Sequence, residues 1–172
     1  MNLAFEFSLL TSIPDVLVEM KPDMISVAGS AITEVKPAIF EIPNLGALLL
    51  GLTHVQELPR TVSNPGANLR VLLLQGTNVT TFWSWMEGFI TRTMMLPSEL
   101  FNAHGTPYCR ELNEIATGTR RSFSVMVSTE HARVMDVSTP TKLAFAQDAI
   151  DCSPGYPTNF PISVEDALYG LR

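Results

Sequence analysis

Residues 59–90 read PRTVSNPGANLRVLLLQGTNVTTFWSWMEGFI, and this stretch decides the predicted fold. Asn68–Gln75 follows the turn signal Asn64-Pro65-Gly66, and its continuous apolar run is typical of a strand buried on both faces. The next segment, Thr77–Ile90, has apolar residues at the spacing of one helix face: Val79, Phe82, Trp83, Met86, Phe89 and Ile90. We therefore predict a buried strand followed by a helix, with Trp83 in the core and Trp85 as an interface anchor.

Outside this stretch, 12 prolines and 10 glycines divide the chain into short segments, which favours an antiparallel β fold. We predict a second helix at Tyr108–Thr117, ended by Gly118, and a loop over Leu96–Pro107 before it. We find no internal repeat. Further strands are predicted at Asn2–Leu10, Val16–Met20, Met24–Val35, Pro37–Ile42, Ser122–Ser128, Arg133–Val137 and Lys142–Ala146. The expected fold is mainly β with one or two helices (α+β), an antiparallel β-barrel or sandwich flanked by an aromatic-rich helix, in a single domain 1–172.

The composition excludes one class of protein and argues against a second. Charged residues make up 16% of the 172 residues, below the usual ~25%, and hydrophobic residues make up 46%, which excludes intrinsic disorder. The net charge of −6 argues against a nucleic-acid binder that works by bulk charge. A low charge fraction indicates surface shared within an assembly. The longest apolar run, Ile42–Leu52, is too short to span a bilayer, so we expect no membrane insertion, and residues 1–6 lack the basic start of a secretory signal.

Few residues suggest catalysis. The three histidines, His54, His104 and His131, do not stand at metal-ligand spacing, and we predict no catalytic, cofactor-binding or metal-binding residue. Cys109 lies five residues after His104, so a small hydrolase that pairs Cys109 with His104 or His131 remains an alternative. Cys109 and Cys152 could form a disulfide, but a reducing compartment is the default expectation.

The turn, buried strand, polar link and Trp-Met helix of residues 59–90 resemble tube proteins of contractile bacteriophage tails. Asn78 would stand in the polar link and Trp85-Met86-Glu87-Gly88 in the tryptophan-containing turn. The order of three later segments is similar to that family's closing strands: Phe123–Val127, Lys142–Ile150 and Pro157–Val164.

This resemblance implies a non-enzymatic structural protein of the virion, assembled in the host cytoplasm and bound to no cofactor. Six copies would form a ring, and stacked rings would form the tail tube, a DNA conduit used in DNA ejection. Tail sheath and baseplate proteins would be partners, an inter-subunit hairpin or arm would lie within 10–42, and a loop/helix insertion would lie at 91–121. The acidic excess of residues 1–57 is a candidate lining of the lumen. Other virion subunits (a tail terminator, a baseplate subunit or a capsid cement) and a small-molecule-binding barrel remain alternatives.

Overall fold

The fold is built on one sheet of five short parallel strands. The computed structural model describes residues 1–97 and 99–154. The strands pair in chain order, each with the next, over three residues in matched register. They are β1 (Asn2–Ala4), β2 (Met24–Ser26), β3 (Ala47–Leu49), β4 (Val71–Leu73) and β5 (Leu100–Asn102).

Short helices occupy the β1–β2, β2–β3 and β4–β5 connections and the region after β5, whereas the β3–β4 connection is irregular. They are α1 (Val16–Met20), α2 (Pro37–Phe40), α3 (Glu87–Met95), α4 (Pro107–Ala116) and α5 (Pro140–Ala149). Single 3₁₀ turns lie at Ser84–Met86 and Arg133–Met135. The described architecture is therefore an α/β fold with an all-parallel sheet.

The strands are successive turns of a solenoid. They begin 22, 23, 24 and 29 residues apart, and each turn, here called a rung, starts at its strand. The central strand residue of each rung contacts the core, and a second core residue follows 14 positions later. These pairs are Leu3 and Leu17, Ile25 and Ile39, Leu48 and Val62, Leu72 and Met86, and Phe101 and Ile115. The chain thus has an internal repeat of one strand per rung, contrary to our expectation of none.

A residue with a hydroxyl side chain stands at the same point of every rung. The fifth residue after each central strand residue is serine or threonine: Ser8, Ser30, Thr53, Thr77 and Thr106. The threonine hydroxyls at 53, 77 and 106 each donate to the carbonyl three residues earlier, at 2.7, 2.8 and 2.8 Å. Local bonds of this kind satisfy carbonyls that leave the sheet ladder, so they stabilise the turn.

The residue before each hydroxyl adopts a left-handed backbone. This position is Phe7, Gly29, Leu52, Gly76 and Gly105, with φ between 50° and 75°. At Gly76 the requirement for glycine is also steric, because an added Cβ would lie 2.8 Å from Leu52 Cδ2 of the preceding rung. A bulky residue on one rung therefore packs over a glycine on the next.

The C-terminal part of the described chain covers the last rung. Tyr108 on α4 is fully buried against Phe82, with ring centroids 4.6 Å apart, and its hydroxyl donates to the Val134 carbonyl at 2.9 Å. Burial raises the pKa of this phenol, so it remains a hydrogen-bond donor. A disulfide between Cys109 and Cys152 joins α4 to the residues after α5. These contacts close the end of the solenoid at β5.

The expected antiparallel β-barrel or sandwich is wrong, because all five strands are parallel. Segments predicted as strands at Val16–Met20, Pro37–Ile42 and Lys142–Ala146 hold helices instead. Pro37 occupies the first turn of α2, where its fixed φ suits a helix. Each rung must return the chain to the start of the next strand, and this tertiary demand overrides β-branched propensity. Ser122–Ser128 holds no strand, and Arg133–Val137 holds a 3₁₀ turn.

The helix predicted at Thr77–Ile90 starts later than expected. Thr77–Trp83 is non-helical, because the Thr77 hydroxyl turns the rung, and the helical part is the 3₁₀ turn followed by α3. The predicted loop Leu96–Pro107 contains β5. Residues 10–42, for which we predicted an arm, lie in rungs 1 and 2, and residues 91–121 include β5 and α4.

Two sequence predictions are confirmed. The run Asn68–Gln75 contains β4, whose three residues are all buried, and Tyr108–Thr117 corresponds to α4 within one residue at each end. Trp83 belongs to the core. Pro157–Val164 lies outside the described residues.

Candidate binding face

The sheet has a second face, opposite the core, which we call the outer face. Central strand residues point into the core, so the first and third residues of each strand point to the outer face. They are Asn2 and Ala4, Met24 and Ser26, Ala47 and Leu49, Val71 and Leu73, and Leu100 and Asn102. This face crosses all five rungs.

The middle of the outer face is apolar and buried. Its five hydrophobic residues form a cluster of their own, and none is more than 5% exposed: Met24, Ala47, Leu49, Val71 and Leu73. Within residues 1–97 and 99–154, the hydrophobic side chain that packs against this cluster from outside it is Leu100, which belongs to the same sheet. Parallel sheets are normally covered on both faces. The outer face is therefore built to carry a second layer.

Gln75 places an unpaired amide on this face. It follows Leu73 by two residues on the continued ladder, where Leu52 N donates to the Gln75 carbonyl at 2.7 Å. Its side chain is 3% exposed, and within residues 1–97 and 99–154 neither Nε2 nor Oε1 has a hydrogen-bond partner. Burying such an amide unpaired costs on the order of 1–3 kcal/mol. Gln75 thus presents a buried donor and a buried acceptor at the edge of the apolar cluster.

The positions equivalent to Gln75 on the neighbouring rungs hold different residues. The equivalent position is Gly51 on rung 3 and His104 on rung 5, where Gly76 N donates to the His104 carbonyl at 2.9 Å. The His104 imidazole Nδ1 lies 3.0 Å from the carbonyl oxygen of Cys152, so that ring already has a partner. Gln75 therefore lies between Gly51, which has no side chain, and His104, whose imidazole contacts the Cys152 carbonyl.

The other polar groups of the outer face are satisfied. The Ser26 hydroxyl donates to the Glu6 carboxylate. The Asn102 amide donates to the Ser153 carbonyl at 3.0 Å and accepts from His104 N at 3.0 Å. The unpaired state of Gln75 is therefore specific to that residue and is not a general property of this face.

An open groove borders the outer face where the strands begin. It has a volume of about 490 Å³ and reaches Met24 and Ala47. Its charged residues are Asp23 and Arg70, which directly precede β2 and β4, the strands on either side of β3. A ligand on the apolar cluster would meet charges of both signs at this border.

The structure separates the residues of the hydrolase alternative. Cys109 is bonded to Cys152, so its sulfur is not available as a thiolate nucleophile. His131 stacks on Trp83, with ring centroids 4.9 Å apart. Among the described residues, no group of three or more His, Cys, Asp or Glu side chains is arranged to hold a metal ion.

The aromatic pair of the sequence analysis is engaged within the chain. The Trp83 indole donates to the Leu58 carbonyl at 2.9 Å. The Trp85 indole donates to the Pro59 carbonyl at 2.8 Å, and its ring packs against Phe40 at 4.9 Å. These contacts join the fourth rung to the second and third, so Trp85 contributes to internal packing.

A second groove lies beside the loops that follow the strands. It measures about 720 Å³ and includes Arg60, whose guanidinium lies 5.2 Å from the centre of the Trp83 ring, and Glu130. Trp83 is only 4% exposed, and its indole N–H is paired. This groove therefore lacks the unpaired group that distinguishes the outer face.

The sequence predicts Gln75 only as the last residue of the buried strand Asn68–Gln75 and assigns it no role. The position of Gln75 on the apolar face follows from the strand register, because only the pairing of β3, β4 and β5 places its side chain there. The sequence matches no family model and no curated protein. Of the helices in the described part of the chain, none has the length and apolar character that a membrane span needs.

Proposed function

We propose that this protein is a recognition module whose outer face binds an extended apolar segment of polypeptide. The observation that carries the proposal is the Gln75 amide, buried without a partner beside the apolar cluster. A peptide backbone presents one N–H and one C=O per residue, which the two ends of a glutamine amide can pair. Apolar side chains of the same segment would pack on Leu100, the half-buried residue at the margin of the cluster.

The dimensions of the sheet suit a short segment. Neighbouring strands lie about 4.8 Å apart, so five strands span about 19 Å, which an extended chain of roughly six residues can cross. Rungs of 22–29 residues with one strand each are similar to those of leucine-rich-repeat solenoids. Stacked repeats of this kind form extended binding surfaces. The module needs no catalytic group in this proposal.

The phage tail-tube hypothesis stays an untested prediction, as do its hexameric rings and virion location. Its structural basis is weaker, because the resemblance implied a β-barrel and the sheet is parallel. The parallel sheet and Gln75 support a recognition module better.

Substitution of Gln75 by leucine tests the proposal through two opposite effects. Gln75→Leu keeps a side chain of similar size and removes the unpaired amide, so we expect the unliganded chain to gain about 1–3 kcal/mol in unfolding free energy. We also expect it to lose peptide binding. A random linear peptide library is selected on the immobilised full chain, and the enriched peptides are measured on both proteins. Gln147→Leu, at an exposed position of α5, is the matched control and should change neither property.

A gain in unfolding free energy together with a loss of peptide binding indicates that Gln75 acts in recognition. If Gln75 had a structural role, its substitution would lower both the unfolding free energy and the peptide binding. The proposal is refuted if no peptide is enriched on the full chain. It is also refuted if the enriched peptides bind Gln75→Leu as tightly as the parent.

A further inference from the structure

We infer that the Arg70 guanidinium, in the open groove where the strands begin, binds a carboxylate group. The inference rests on the proposed function, because it names the chemistry of the segment that the outer face recognises. That segment carries Asp or Glu close to the apolar residue that packs on Leu100. The groove is the one of about 490 Å³ that reaches Met24 and Ala47.

The first argument is that Arg70 has no ion-pair partner in the described part of the chain. Four of the seven arginines in residues 1–97 and 99–154 form ion pairs with carboxylates there: Arg60, Arg92, Arg120 and Arg133. The other three are Arg70, Arg110 and Arg121, and of these three it is Arg70 that lines the groove. Its exposed guanidinium therefore keeps five N–H donors for a ligand.

The second argument is the charge of the groove. Its charged lining residues in the described part of the chain are Asp23 and Arg70. The Asp23 carboxylate already holds the amino group of Met1. The charge left for a ligand is therefore the positive charge of Arg70, although the net charge of the chain is −6. A local positive charge in a cleft draws an anion to that cleft, whereas the rest of an acidic surface repels it.

The third argument is the lining of the groove, which suits a small planar anion. The Gly46 carbonyl accepts from Arg70 N at 2.8 Å, so backbone without a side chain lies directly beside Arg70. The exposed Asn44 amide supplies a second side-chain donor in the groove, while the Asn68 amide donates to the Pro43 carbonyl at 2.6 Å. A guanidinium binds a carboxylate through two parallel N–H···O bonds, and carboxylates are the anions of an unmodified polypeptide.

Arg70 lies beside the residue of the apolar cluster that a ligand can reach. Leu100 is the half-buried residue at the margin of the cluster, and its backbone N donates to the Arg70 carbonyl at 2.8 Å. Neighbouring strands are about 4.8 Å apart, and successive residues of an extended segment are about 3.4 Å apart. A carboxylate on Arg70 and an apolar side chain on Leu100 therefore belong to residues within two positions of each other.

NMR of the full chain measures carboxylate binding directly. The Nε–H signal of Arg70, assigned by its loss in Arg70→Lys, is followed while acetylated leucyl-aspartate amide is added. We expect a saturable shift of this signal, none on addition of the leucyl-asparagine analogue, and none of the Arg110 signal with either peptide. Inorganic phosphate is added as a second anion. A shift with phosphate but not with leucyl-aspartate would overturn the inference, as would equal shifts with the two dipeptides or no shift at all.

The peptides selected from the random library give the second measurement. We expect them to carry Asp or Glu within two positions of a large apolar residue. Replacing that acid by its amide removes a charge-assisted hydrogen bond and should weaken binding to the parent about tenfold. The same replacement should hardly change binding to Arg70→Gln, because the partner of the acid is then absent. Arg70→Lys keeps the charge without the planar fork and should bind with intermediate affinity.

Arg110→Gln is the matched control, because Arg110 is an exposed arginine of α4 and its loss changes the net charge equally. It should bind the acidic peptides as tightly as the parent does. Equal weakening in Arg110→Gln and Arg70→Gln would assign the effect to net charge and overturn the inference.

The two measurements distinguish failure of the inference from failure of the proposed function. If leucyl-aspartate shifts the Arg70 signal but no peptide is enriched on the full chain, the carboxylate site stands and the proposed function fails. If enriched peptides bind the parent and Arg70→Gln equally, the inference fails and the proposed function stands.

Discussion

Removal of the disulfide tests how the end of the solenoid is stabilised. Cys109 and Cys152 are 43 residues apart, and crosslinking a loop of this length lowers the entropy of the unfolded chain by an amount worth about 4 kcal/mol. Domains of this size have unfolding free energies of about 5–15 kcal/mol. We therefore expect the double variant Cys109→Ala, Cys152→Ala to lose a large share of its stability.

Urea unfolding, followed by the fluorescence of Trp83 and Trp85, measures this loss. The oxidised parent, the parent with a phosphine reductant and the double variant are compared. We expect the last two to agree and to unfold about 4 kcal/mol more easily than the first. Their m-values should also be larger, because an unlinked chain exposes more surface when it unfolds.

Two results would refute this reasoning. A loss below about 1 kcal/mol would mean that the closed loop hardly restricts the unfolded chain. A large loss in the variant without a loss on reduction would assign the effect to altered packing around Cys109, which is 7% exposed. A loss near 4 kcal/mol in both would favour an oxidising compartment over the reducing one expected from the sequence.

Three further substitutions test single elements of the fold. Thr77→Val removes one hydroxyl of the turn series and should cost about 1 kcal/mol in urea unfolding; an unchanged midpoint would show that the bond contributes nothing. Gly76→Ala should cost more than Gly118→Ala, since both have positive φ but an added Cβ at Gly118 meets no atom within 4 Å; equal costs would contradict the steric argument. Hydrogen bonding from Lys142 lowers the pKa of Asp136 from 3.8 to about 2. The contribution of the ionised Asp136 carboxylate to stability should therefore be complete above about pH 4 and lost as pH falls through about 2. The stability difference between the parent and Asp136→Asn should shrink over that range, and a difference independent of pH would count against the bond.

Local patterns in the sequence predicted some elements well. The run Asn68–Gln75 predicts β4 because four successive large apolar residues have few alternatives to full burial. The α4 helix is predicted because three apolar residues share one face and Gly118, with φ of 77°, ends it. In both cases neighbouring residues alone determine the structure.

The solenoid could not be predicted in the same way. Its strands have only three residues, too few for the alternation that identifies a strand. Its rungs differ in length, so no single period connects the core positions of successive rungs. The hydroxyl position is not marked by one residue type either, because it holds serine in two rungs and threonine in three. Whether two strands are parallel depends on where the chain returns between them. That return is made by short helices such as α2, whose residues suggested a strand.

The prediction that proved most accurate also contained the main clue to function. Burial of Asn68–Gln75 on both faces requires a layer of side chains on each side of the sheet. Residues 1–97 and 99–154 supply the inner layer through the core, but on the outer face they supply hydrophobic contacts only from the sheet itself. Leu49 and Leu73 are nevertheless as buried as Leu48 and Leu72. The apolar run of residues 68–75 thus indicates burial on both faces of the sheet, and the low exposure of Leu72 and Leu73 agrees with it.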